Sequence, residues 1–162
     1  MILVGVLGYA LLGLDDLDRL PVLSSALDES LRLFPPAWII PREAIRDVEV
    51  EGHHVRAGAQ VLVSPWLIHR DPRRWSDPDC FRPDRWTPGL ADAARRSFAL
   101  IPFGGGSRSC IGEHFARLEA TIVLAELLRR FEPVPPMLHR VERDHSVTLR
   151  PRGGLPMRLE AC

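Results

Sequence analysis

Lysine is absent from this chain of 162 residues: all 21 basic residues are arginine, and 21 acids bring the formal net charge to zero. The arginines are scattered, so nothing in the balance suggests a nucleic-acid partner, and zero net charge gives no electrostatic help with solubility. All-arginine usage hints at a GC-rich genome. Cysteine is scarce. Cys80, Cys110 and Cys162 make no pairing pattern, which excludes a disulfide framework and fits a reducing, cytoplasmic compartment. No His-x-x-x-His or Cys-x-x-Cys pair occurs, which sets a zinc site aside. Long apolar runs are missing too: Met1–Leu14 is apolar but shorter than the ~20 residues of a spanning helix, and it has no positive flank of the kind an export signal carries. There is no internal repeat. With 46% hydrophobic residues, the chain can bury one modest core.

Periodicity and punctuation organise what is present. Pro21 to Phe34 reads as a helix, with proline in its first turn and Pro35-Pro36 stopping it. Trp38 to Arg42, Asp47 to Glu51 and Gln60 to Ser64 read as short strands separated by turns at Gly52 and Gly58. Trp66 to His69 fits a helical turn. Asp71 to Leu90, dense in proline, tryptophan and arginine, is too long for an ordinary connection and is expected to be a packed meander. Ile111 to Phe131 is the longest helix, with Phe115, Leu118, Ile122 and Ala125 along one face and arginines at its end; Pro133, Pro135 and Pro136 stop it. Val147 to Leu149 and Met157 to Leu159 close the chain as small strands.

The most informative string is Phe103-Gly104-Gly105-Gly106-Ser107-Arg108-Ser109-Cys110-Ile111-Gly112. Three successive glycines open backbone conformations closed to other residues and permit close approach to a flat ligand. The helix that follows turns its free N–H groups and positive dipole end toward the sulfur, which favours thiolate. A lone cysteine is most often a small buried hydrophobe. Held in this loop, with an arginine two residues before it, the thiolate suits a soft metal centre whose cofactor carries carboxylates, and haem iron is the natural candidate. Upstream lie Glu29-x-x-Arg32 and Phe81-x-Pro83-x-Arg85-Trp86. Glu29 and Arg32 share a helix face and can pair. On a surface such a pair counts for little, but Leu27, Leu31 and Phe34 around it point to partial burial, where an unpartnered charge is costly.

In their order and spacing the three motifs resemble those of cytochrome P-450 haem-thiolate monooxygenases. The resemblance runs from about Val6 to Leu159 and implies an α+β, mainly α fold: the C-terminal, proximal half of the P-450 fold, with the Glu-x-x-Arg helix, small β segments, meander, cysteine loop and long C-terminal helix. It implies that residues 1–14 are an apolar remnant beside a truncation point and that 15–162 form the C-terminal part of the domain. By residue, Cys110 would be the axial ligand to the iron of haem b, with Phe103 packed beside the thiolate. Arg108 and Arg42 would pair with the propionates. Gly104, Gly106 and Gly112 would allow the tight turn and the close approach to the porphyrin, with Ala116 against the ring. Arg85 would join Glu29 and Arg32 in a structural network. Trp38, Ile39, Ile40 and Val147 would border the substrate pocket, although apolar strand residues are core by default.

The histidines carry little by themselves. His53 and His54 would face opposite sides of a strand and could not easily share a metal; His69, in His69-Arg70-Asp71-Pro72, matches a family string without an evident chemistry; His114 is expected to be exposed. For the whole domain the resemblance implies insertion of one oxygen atom from O2 into an apolar, hydrophobic small molecule, with electrons from a ferredoxin or flavodoxin-type partner docking near the face of Cys110. The wording of the motifs leans toward the branch acting on fatty acids, terpenes and similar lipids. The family's distal helix has no counterpart here, so the alternative is a catalytically silent remnant or interaction module, and the chain alone is expected to be inactive.

Overall fold

The computed structural model describes residues 19–137 and 140–162; the apolar segment Met1–Leu14 lies outside them. Pro21 opens helix α1 (Pro21–Leu33) with a preset φ and no N–H to leave unpaired, and the Phe34 N–H closes it on the Ser30 carbonyl at 2.7 Å. Its inner face is unusual. Beside Leu23 and Leu33 it buries Asp28, Glu29 and Arg32, so this helix carries charges into the interior and the rest of the chain must partner them.

Strands β1 (Ile40–Glu43) and β4 (Gln60–Val63) pair antiparallel, Ile40 opposite Val63 and Arg42 opposite Val61. Between them β2 (Val48–Val50) and β3 (His53–Val55) form a hairpin with Glu49 opposite His54. The first strand starts two residues later than expected because the Trp38 carbonyl is taken by the Ser64 hydroxyl at 3.1 Å and the Trp66 N–H at 3.4 Å, which keeps Trp38 out of the ladder. Ser64 also caps the short helix α2 (Pro65–Ile68), accepting the Leu67 N–H.

The stretch expected to be a meander has a single 3-10 turn, Pro83–Arg85, before helix α3 (Leu90–Arg96). Helix α4 (Glu113–Arg130) follows the glycine-rich loop and ends in Arg129 and Arg130. Of its apolar face only Ala125 is buried; Phe115, Leu118 and Ile122 stay exposed. Beyond it β5 (Phe131–Val134) pairs with β8 (Arg158–Ala161), and β6 (Arg143–His145) pairs with β7 (Leu149–Pro151). Pro133 sits within β5, not merely after the helix, and tolerates this because a two-stranded ladder leaves one side of each strand free of hydrogen bonds. Val147 lies in the β6–β7 turn, not in a strand.

Two small apolar clusters hold these parts together: Trp75, Ala94, Ala99 and Leu100 backed by Trp86, and Leu20, Leu23 and Ala125 backed by Leu124. Among the described residues no helix is long and apolar enough to cross a membrane.

Candidate functional site

The charged face of α1 is the centre of the arrangement. Glu29 and Arg32 are fully buried and paired through both carboxylate oxygens, Arg32 Nη2 to Oε1 at 2.8 Å and Nε to Oε2 at 3.0 Å. Oε1 also accepts the Arg82 backbone N–H at 2.9 Å and Arg85 Nε at 3.1 Å, and Oε2 accepts Trp86 Nε1 at 3.0 Å. The remaining guanidinium donors of Arg32 reach the carbonyls of His69, Pro78 and Cys80 at 2.7, 2.6 and 3.1 Å. Arg85 donates to the carbonyls of Ser76 and Asp77 at 2.9 and 3.2 Å. Arginine side chains therefore give the meander the hydrogen bonds that it does not make as regular structure. Burial alone would raise the Glu29 carboxyl, but hydrogen bonds from Arg32, the Arg82 backbone and Arg85 outweigh it and hold the group below its usual range.

Three further residues belong to this centre. Trp86 is the carboxylate's aromatic donor. His69, fully buried, contacts the Arg32 carbonyl through Nδ1 at 3.0 Å and accepts the Ile101 N–H on Nε2 at 2.8 Å; burial lowers its pKa to about 4. Asp28 accepts Arg95 Nη2 of α3 at 3.0 Å and Arg117 Nη1 of α4 at 2.8 Å, tying three helices together. Periodicity signals none of these, because each partner lies 32 or more residues away or is a backbone atom.

The cysteine loop sits at the end of this scaffold. Leu100, Ile101 and Pro102 are buried, Phe103 is half-buried, and Cys110 is exposed with its N–H on the Phe103 carbonyl at 2.9 Å. Gly104 and Gly106 adopt left-handed φ of 79° and 69°. Gly112 does not: its φ is −85°, and its lack of a side chain matters because a Cβ there would stand 3.7 Å from Cys110 Sγ. A Cβ on Gly104 would lie 3.9 Å from Ile40 Cδ1, so β1 abuts the loop. Arg108 and Arg42 are both exposed, and Arg42 Nη1 donates to the Pro41 carbonyl at 3.0 Å. Ala116 is half-buried on α4, beyond the fully exposed Ile111.

Trp38, Ile39 and Ile40 are half-buried. The β6–β7 turn meets them through Trp38 Nε1 on the Ser146 carbonyl at 3.4 Å and the His145 ring edge-on to Trp38 at 5.6 Å, which leaves the neighbouring Val147 91% exposed. His54 lies 3.6 Å from Asp47, His114 is exposed, and among the described residues no cluster of His, Cys, Asp and Glu could hold a metal ion.

The family model described as Cytochrome P450 matches residues 6–155. The chain belongs to the cytochrome P450 family. Cyclooctatin synthase of Streptomyces melanosporofaciens is 40% identical over 143 residues, covering 87% of this chain and 31% of that protein. Cytochrome P450 714C3 of Oryza sativa subsp. japonica is 39% identical over 151 residues, covering 93% and 30%. The chain thus spans about a third of the length of these P450 relatives. Among solved P450 structures, retinoic acid bound cyanobacterial CYP120A1 superposes with a TM-score of 0.87 at 33% identity, over 96% of this chain and 36% of that one. The cytochrome P450DA heme domain gives 0.85 at 32%, over 96% and 34%. The helices and small sheets described above are therefore part of the P450 fold.

Proposed function

We propose that this chain is the C-terminal, proximal portion of a haem-thiolate monooxygenase, residues 15–162 forming that portion, with Cys110 as the axial ligand of haem b. The observation that carries this reading is the loop itself: an exposed thiol, free of side-chain cover at Gly112, on a turn that needs left-handed Gly104 and Gly106. The donor set suits the group. A thiol is a soft ligand for iron, the exposed Ile111 and Phe115 offer an apolar face to a flat apolar ring, and the exposed guanidinium groups of Arg42 and Arg108 suit its carboxylates.

When bound, thiolate-ligated haem supplies activation of O2 for insertion into a C–H bond. The protein's own part is to hold and shape. The Phe103 carbonyl fixes the Cys110 backbone, Gly112 and Ala116 keep the approach to the ring clear, and the Glu29–Arg32–Arg85 centre locks the segment behind the loop. Trp38, Ile39, Ile40 and Val147 would border a hydrophobic substrate. Electrons would come from a ferredoxin or flavodoxin-type partner near the Cys110 face, in the reducing cytoplasm that three free thiols suit.

A second reading, a catalytically silent module, draws on the exposed apolar residues further along α4, where Val123 is 58% exposed and Leu118 39%. Burying each such side chain is worth ~1.5–3 kcal/mol, so a site complete for turnover needs this face covered. Haem titration of the purified chain, followed by its absorption, tests the first reading. Saturable binding weakened in Arg108→Ala and Arg42→Ala is expected; binding that neither substitution changes would contradict the assignment of the propionate partners. Substrate oxygenation by the chain with an electron supply would refute the silent module.

A further inference from the structure

His69 takes no part in the proposed chemistry, yet it is held tightly. It is fully buried, and both ring nitrogens meet backbone. Because the Ile101 N–H donates to Nε2 at 2.8 Å, that nitrogen carries no hydrogen; the proton is on Nδ1, which donates to the Arg32 carbonyl at 3.0 Å. Arg32 lies in the last turn of α1, where carbonyls have no partner within the helix. The next carbonyl, Leu33, is taken by Arg70 Nη2 at 2.6 Å, so the His69-Arg70 pair caps the end of this helix. The other contact is equally local to a need. Ile101 is buried outside any strand, and its N–H requires a partner. Two residues on, Phe103 accepts the Cys110 N–H at 2.9 Å, and the Ile101 carbonyl itself accepts the Gly104 N–H at 3.0 Å.

We propose that His69 is a positioning residue for Cys110: its neutral imidazole joins the end of α1 to the point where the cysteine loop departs, and so sets where the thiol stands relative to the Glu29–Arg32 centre. Its functional meaning rests on Cys110 being the haem ligand, but the geometry can be read without haem, so the two ideas fail separately.

Amide hydrogen exchange on the full chain, without haem, provides the test, with wild type, His69→Gln and His69→Asn compared. In His69→Gln the terminal amide oxygen can reach the Nε2 position and accept the Ile101 N–H. In His69→Asn the shorter amide can serve only the Arg32 side. Expected are slow exchange of the Ile101 and Cys110 amides in wild type and His69→Gln, and acceleration of both by about ten- to hundredfold in His69→Asn, with α1 amides unchanged. Exchange of the wild-type Ile101 and Cys110 amides as fast as that of Gly52 in the exposed β2–β3 turn would overturn the proposal. Equal acceleration in both variants, or failure of both to fold, would also overturn it, by reducing His69 to a core filler.

Discussion

Replacing Glu29 by alanine removes the acceptor around which the interior of this chain is arranged. Five hydrogen bonds from Arg32, the Arg82 backbone, Arg85 and Trp86 converge on its two oxygens. Arg32 is left fully buried and Arg85 7% exposed, each with its charge uncompensated. Breaking a buried pair in this way costs about 3–5 kcal/mol. Arg32 keeps three carbonyl acceptors, on His69, Pro78 and Cys80, which places the expected loss near the lower end. That is still a large share of the ~5–15 kcal/mol by which domains are stable. Urea unfolding followed by far-ultraviolet circular dichroism reads the loss directly. Glu29→Gln should lose nearly as much, because its amide nitrogen would face donors on one side. A midpoint for Glu29→Ala equal to wild type would refute the reasoning, and stable protein with normal haem content but no turnover would move Glu29 from scaffold to chemistry.

Asp28→Ala leaves Arg95 and Arg117 without their shared carboxylate and should cost about 1.5–3 kcal/mol, read as a lower urea midpoint; no change would mean the α1–α4 junction holds by apolar contact alone. With its folded pKa near 4 against an ordinary 6.5, His69 takes up its proton first in the unfolded chain, so stability present above pH 6.5 should fall toward pH 4 by about 3 kcal/mol. His69→Gln should flatten that window, and an unaltered slope would show that another group titrates there. Gly106→Ala, at a φ of 69°, should cost about 1–2 kcal/mol in thermal unfolding. Gly105→Ala should cost less: its backbone is extended, and the Phe98 ring 2.7 Å from the new Cβ is largely exposed and free to swing away. The reverse order would mean the loop's left-handed turn is not needed.

Local pattern carried much of the fold. Pro21 and Pro35-Pro36 bracket α1, and the apolar spacing through Ala125 marks α4, because these signals act within a few residues of the structure they cause. Helix α3 escapes the pattern although Leu90-Ala91-Asp92-Ala93-Ala94-Arg95-Arg96 is rich in helix formers with an acid in the first turn and arginines in the last; a long irregular stretch before it masks a short regular one. Strand β5 is hidden because Pro133 reads as a breaker, a rule that fails on a two-stranded ladder. The contact between Glu29 and Arg32 follows from helical spacing, whereas that of Arg85 follows only from family resemblance, since 56 residues separate it from Glu29. His69 was opaque for a related reason. Its partners are backbone atoms of residues 32 and 101, and no sequence periodicity reports a side chain that bonds to backbone.

The carbon monoxide spectrum of the reduced, haem-loaded chain tests most directly whether Cys110 is the thiolate ligand. Wild type should show a band at about 450 nm, the band from which cytochrome P450 takes its name, and Cys110→Ala should lose it. Persistence of that band in Cys110→Ala would contradict the assignment.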